Sequence, residues 1–423
     1  MLHDAGDRSE NMTPAHSPIA RFSRPNFGLL AVTMFAGPFA GNIPTPLFVI
    51  YQQRLHFSES VVASIFSANT VATALALLFG GRLSDHLGRR TVLIPATALG
   101  ILGGVIFLLT QNVIELMIAR FVTALMIGTF MPVVTAALTE AEPKGDRRRA
   151  ATVATIAISA GFGLGPLMAG AFAQWTQFGL TAPYLVQVLV LLAALPGILS
   201  LPKTKIRRLT AGSFRPARFG LVPNNRSQFR FAAFSIGCGM SGIGIFVALG
   251  PSLMHAELHS TDPAVDGFVI FLVLGASALT QFVGQGLSGR APISLGLVLI
   301  AIGLGFTVAA APLHILAVLF VGAALVGAGQ GLSFMGSVRE TNLFAPAESR
   351  GEVVSTVLLV GQVAVFVVVM TLGETIDATD ALVGVAVVGG AVSLTALAGA
   401  LLARRVPLPR FPLPERTFGT APD

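Results

Sequence analysis

Twelve mostly apolar stretches, each of about twenty residues, follow one another along the chain, and only membrane-crossing helices satisfy the backbone of so many apolar segments. Hydropathy places them at Asn26–Tyr51, Glu59–Gly80, Thr91–Leu109, Val113–Leu138, Ala150–Trp175, Pro183–Leu201, Phe229–Met254, Val265–Leu287, Ile293–Ala311, Leu313–Phe334, Arg350–Leu372 and Ala381–Ala403. Composition agrees: 53% of residues are hydrophobic and 11% charged, whereas soluble domains carry about 25% charged residues. The fold class expected is an all-α polytopic membrane protein. The polar residues 1–25 precede an apolar stretch too long for a signal-peptide core, so no cleaved segment is expected. The lone Cys238 lies inside an apolar stretch, which leaves no disulfide framework.

Orientation follows from the positive charges, because Lys and Arg resist translocation. With the N-terminus in the cytoplasm, 25 of the 27 Lys and Arg fall on the cytoplasmic side; Arg54 falls outside and Arg120 lies within a span. Both termini are therefore expected in the cytoplasm. Trp175, Tyr51 and Tyr184 fall at predicted outer helix ends, where amphipathic rings favour the headgroup zone. Residues 202–228 form a basic linker without acid. It divides the chain into a tail at 1–25, a six-helix bundle at 26–201, a second bundle at 229–403 and a tail at 404–423. The high pI suggests anionic lipid headgroups as partners rather than nucleic acid, since the basic residues are spread over many loops.

The run Gly81-Arg82-Leu83-Ser84-Asp85-His86-Leu87-Gly88-Arg89-Arg90 is a charged interruption between two apolar spans and reads as a cytoplasmic hairpin. It resembles the signature loop of the major facilitator superfamily, G-x-L-[small]-D-x-x-G-R-[RK]. That resemblance implies twelve helices in two pseudo-symmetric six-helix bundles around a midplane site, with a function in transport. It also implies that Asp85 contacts the start of the eleventh helix and holds the cytoplasmic faces together. Gly81 and Gly88 would allow close packing and turning, and Arg89 and Arg90 would organise the loop. The matching place in the second half reads Leu287-Ser288-Gly289-Arg290, where the acid is missing.

Gly161, Gly165, Pro166 and Gly170 resemble the G-x-x-x-G-P-x-x-[GA]-G element of antiporter branches, which implies export. In physical terms Gly161 and Gly165 offer a flat face to a partner helix and Pro166 permits a bend. Arg120 is a charge deep in a span, hence functional or paired. It resembles a fourth-helix element that runs from Arg120 to Gly128, although Thr123-Ala124 stand where Gln-Gly is usual. Asn42 lies at similar depth in the first helix and is its expected polar neighbour. Candidate cavity residues are therefore Asn42, Arg120, Thr123, Ser241 and Gln330, with Gln281, Gln285, Ser333 and Gln362 as weaker polar sites.

No Asp or Glu sits near the middle of a span, so proton coupling by a midplane carboxylate has no support. Glu115, together with Arg120, or Glu59 or Asp266 near the outer mouth, would have to carry any coupling. No other cofactor is expected. Gly237-Cys238-Gly239-Met240-Ser241-Gly242 matches a dinucleotide pattern but lies mid-helix, which excludes a nucleotide site. The expected protein is a monomeric secondary transporter of the bacterial inner membrane that exports a small organic molecule. Import or exchange of a small organic anion, and a receptor or scaffold on the same fold, stay open.

Overall fold

The protein was analysed as a computed structural model that describes residues 26–202, 225–258, 262–346, 349–403 and 405–406; within its helices the side chains of residues 77–82, 85, 86 and 249 are not described. The expected N-terminal tail, all of the C-terminal tail but residues 405–406, and most of the basic linker lie outside the described residues. Each apolar stretch folds as helix: α1 (Phe27–Asn42), α2 (Phe48–Leu55), α3 (Glu59–Leu87), α4 (Arg89–Leu109), α5 (Val113–Glu140), α6 (Arg147–Trp175) and α7 (Ala182–Leu199) come first. They are followed by α8 (Arg226–Glu257), α9 (Pro263–Val283), α10 (Ala291–Leu313), α11 (Leu316–Phe344), α12 (Arg350–Ala378) and α13 (Ala381–Leu402). Counting α1 and α2 together, 12 spans are long and apolar enough to cross a membrane.

Two details sharpen the sequence reading. The first span is broken: α1 ends at Asn42 and a short 3-10 turn, Thr45–Leu47, leads into α2. Pro44 and Pro46 explain the break, since neither supplies an N–H to the preceding turn. The charged run forms a helical hairpin with almost no loop. Helix α3 continues through it to Leu87 and reverses at Gly88 alone, whose φ of 87° suits glycine, before α4 starts at Arg89.

The helix ends make two faces. One carries Arg89, Arg90, Arg147, Arg226, Arg290 and Arg339 and is called here the basic end; the opposite, acidic end carries Glu59, Glu115, Asp262, Asp266 and Asp377. Helices α1–α7 bury two apolar cores of their own, one of them around Leu30, Met34, Phe130 and Ile198. The largest core of α8–α13 takes in Val62, Ala63 and Phe66 of α3, near the acidic end. Small residues let helix backbones touch, as in soluble and membrane bundles alike. Trp175 is 75% exposed and fits an interfacial ring. Tyr51 and Tyr184 do not: both are buried in protein, Tyr51 donating to the Phe107 carbonyl at 3.3 Å and Tyr184 stacked on the Phe107 ring.

Candidate functional site

Between the two sets of helices lies a cavity of about 460 Å³. Most of its wall is apolar, from Phe66 and Ile127 on one side to Met240, Ile243 and Leu358 on the other. Polar groups enter from few places. Asn69, Thr70 and Thr73 of α3 and Thr155 and Ser159 of α6 face it, as do Gln281, Gln330 and Gln362 across the cavity. Ser277 links two of these amides: its hydroxyl donates to Gln330 Oε1 at 2.5 Å and accepts from Gln281 Nε2 at 3.2 Å. Arg120 is the one ionisable side chain that lines the cavity among the described residues.

Arg120 is 2% exposed, and its compensation comes from backbone rather than from a carboxylate. Its Nη1 donates to the Gly41 carbonyl at 2.6 Å, in the last turn of α1, where the helix leaves carbonyls without intrahelical partners. The guanidinium also stands over the Phe48 ring, 5.8 Å from its centroid, a distance that suits a cation–π contact. Nε has no partner. Asn42 lines the same cavity but does not bond Arg120; its amide turns back to the Pro38 carbonyl at 3.0 Å.

Other expected site residues fall elsewhere. Thr123 packs on Gly103 of α4 with its hydroxyl bonded to the Ala119 carbonyl, so it faces a neighbouring helix and not the cavity. Ser241 is buried outside the cavity wall, and Ser333 packs against Gly239 and Gly296. Glu115 is not Arg120's partner. Its carboxylate accepts from the Gln111 N–H at 2.7 Å while Asn112 accepts from the Glu115 N–H at 3.0 Å, a reciprocal cap on the start of α5. Asn69, Thr70, Thr73, Thr155 and Ser159 escaped the sequence reading, although polar residues one turn apart in an apolar span were a usable signal.

Helix α6 runs through Pro166 as one helix, and its glycines serve close contact on two sides. A Cβ at Gly161 or Gly165 would lie 2.5 Å from the carbonyl of Phe35 or Phe39 on α1. Gly170 meets Pro263 and Gly267 of α9, in the other half. In the loop region, Arg89 clamps both oxygens of Glu140 at the end of α5, and Arg90 bonds the Leu199 carbonyl at 3.0 Å. Gly81 and Asp85 lie on α3, and the surroundings of their side chains, the expected Asp85 contact included, lie outside the described residues. In the second half Arg290 ties Glu340 to carbonyls of Ala403 and Val406.

The two halves meet at the acidic end. The Asp377 carboxylate, from the last turn of α12, accepts the Glu59 and Ser60 N–H groups at 2.9 and 3.0 Å and so caps the start of α3. Gln174 of α6 donates to Asp262 at 3.2 Å, and Gly163 abuts Phe271 of α9. Towards the basic end the cavity instead runs on into a cleft between Thr155 and the α9–α11 residues Gln285, Arg339 and Asn342, with Thr155, Gln281 and Phe334 lining both. The site is closed at one end and open at the other.

A family model described as Major Facilitator Superfamily matches residues 30–369. Multidrug resistance protein 2 of Bacillus subtilis is 25% identical over 179 residues, 42% of this chain and 44% of that protein. Quinolone resistance protein NorA of Staphylococcus aureus is 25% identical over 129 residues, 30% and 33% of the two chains. Each alignment thus spans less than half of the relative's length. Among solved structures, a bacterial homologue of the human lysosomal transporter Spinster, described as inward-facing and occupied, superposes with a TM-score of 0.67 at 15% identity over 92% of this chain and 98% of that one. The peptide transporter POT in complex with sulfate gives 0.72 at 15% identity over 90% and 94%. At that identity the two structures bear on fold alone. The match of the family model over most of the length places this chain in the major facilitator superfamily, as a multi-pass membrane protein.

Proposed function

We propose that this protein exports a small, largely lipophilic organic molecule across the bacterial inner membrane by alternating access. The observation that carries the reading is the cavity itself, held between the halves, capped across the acidic end and continuous with a cleft at the basic end. If Lys and Arg mark the cytoplasmic side, as they do in membrane proteins generally, that cleft faces the cytoplasm and the molecule stands ready to load from it. Export is supported by the resistance proteins among its relatives, and Arg89 and Arg90 would meet anionic lipid at the cytoplasmic surface. The protein works as a monomer in this reading, with Asp85 closing the basic end in the opposite state.

The lining points to a neutral or anionic cargo, since Arg120 supplies positive charge and, among the described residues, no carboxylate lines the cavity to receive a cation. The same observation favours a second reading, exchange or import of a small organic anion. Everted membrane vesicles separate the two. Time-dependent accumulation of neutral or weakly acidic lipophilic dyes, above vesicles without the protein, is the expected outcome for export. Accumulation only in right-side-out vesicles, with counterflow of a carboxylate, would replace export by the second reading.

A further inference from the structure

At the acidic end a buried carboxylate, Asp266, and a half-buried one, Glu59, lack some or all of the donors that an ionised acid needs. Asp266, in the first turn of α9, is 1% exposed, and neither of its oxygens receives a hydrogen bond. Glu59 has one oxygen bonded by Gln52 Nε2 at 2.9 Å and the other, Oε2, buried without a partner. A helix start favours an anion in general, but here the N–H groups of α9 are not aimed at the carboxylate, and Asp262 adds negative charge one turn earlier. An ionised carboxylate in such a place is costly, whereas a carboxylic acid is not.

The surroundings offer little to offset that charge. From α8, His255 brings Nδ1 to 4.0 Å from Asp266, but this nitrogen is bonded to the Pro251 carbonyl at 2.9 Å, which can only accept. Helix α6 contributes the neutral Gln174 and Gly170, and the 3-10 turn Thr45–Leu47 carries no titratable group. Across the seam stand two further acids, Glu59 of α3 and Asp377 of α12, the latter engaged in its cap. Among the described residues no Lys or Arg forms an ion pair with Asp266.

We propose that Asp266 is a proton-binding site, filled while the acidic end is closed. When that end parts, water reaches the carboxylic acid, its O–H bond breaks and the proton passes to water on that side; closing takes one proton back and re-forms the bond. The inference rests on the alternating-access reading, because it requires that end to open. Its consequence is that closure at the acidic end is favoured by acid, by up to about tenfold in the open–closed equilibrium per pH unit for one linked proton.

The test uses the full chain in liposomes with Cys238→Ser and spin labels at Phe178→Cys and Leu313→Cys, both exposed at the acidic end and on opposite halves. Lowering the pH from about 8 to about 5 is expected to convert long label distances into short ones. Asp266→Asn, which mimics the protonated acid, is expected to stay at the short distance throughout, while His255→Gln keeps the parental dependence. Retention of the parental dependence in Asp266→Asn, or its loss in His255→Gln alone, overturns the proposal. Asp377→Ala separates the two readings. If it lengthens the distance while pH does not, the proton site falls and alternation stands; one short distance in every variant and at every pH sinks both.

Discussion

Arg120 is held by a helix-end carbonyl, an aromatic face and an open edge towards the cavity, so its charge is placed without being neutralised. Hydrogen bonds from charged donors are worth about 1.5–3 kcal/mol, and the Gly41 contact therefore fixes the guanidinium firmly. Lysine keeps the charge but not the planar fork that can bond Gly41 and lie over Phe48 together. Arg120→Lys is expected to retain partial transport and Arg120→Gln to lose about tenfold or more, measured as initial rate per amount of inserted protein. Parental rates in Arg120→Gln would make the residue a structural tie and remove the anion-linked mechanism. Its place at the cavity was legible in the sequence because a lone charge in an apolar span stands out. Its partner was not, since a carbonyl of Gly41 has no letter of its own and the adjacent Asn42 bonds its own helix instead. Thr123 failed for an angular reason: three residues from Arg120 it sits about 60° around the helix, enough to face α4.

At the scale of the element, α6 uses small residues on two faces, against α1 at Gly161 and Gly165 and, about 140° around the helix from Gly165, against α9 at Gly170. The spacing announced a packing face, whereas which helices it meets depended on the tertiary arrangement. Overpacked positions commonly cost about 1–3 kcal/mol, and here the obstacle is backbone, which cannot rotate away. Gly165→Leu is expected to reach the membrane yet run as a heat-labile species by size-exclusion chromatography and fail to transport; Gly165→Ala should lie between it and the parent. A Gly165→Leu protein of parental stability and activity would show that α1 and α6 do not touch there. Helix existence was readable throughout, because twenty apolar residues leave the backbone no other choice. Helix ends were less so: α3 passes through a charged run, since charged side chains at the water boundary do not end a helix, whereas Gly88 does.

For the whole molecule, α3 and α12 are expected to stand in a reciprocal relation. The end of α12 supplies Asp377 to the start of α3 at the acidic end, and the signature loop assigns to Asp85, on the last turns of α3, the corresponding place at the start of α12. One cap is formed in the present state; the other is the expected partner of the opposite state. This symmetry was hidden in the sequence because Asp377 belongs to no recognisable repeat of the signature loop and its partners are N–H groups. If the two ends close in alternation, a tether across the closed end must stop the cycle. Gln174 and Asp262 hydrogen-bond across that seam, so cysteines at both positions in a Cys238→Ser background lie within reach of a short disulfide-containing bifunctional reagent. Crosslinking Gln174→Cys to Asp262→Cys is expected to abolish transport, reduction to restore it, and the reagent to leave either single cysteine variant active. Transport that persists in the fully crosslinked protein would mean that the acidic end need not open, and the clasp at Asp377 would then be a fixed joint between the halves and not a gate.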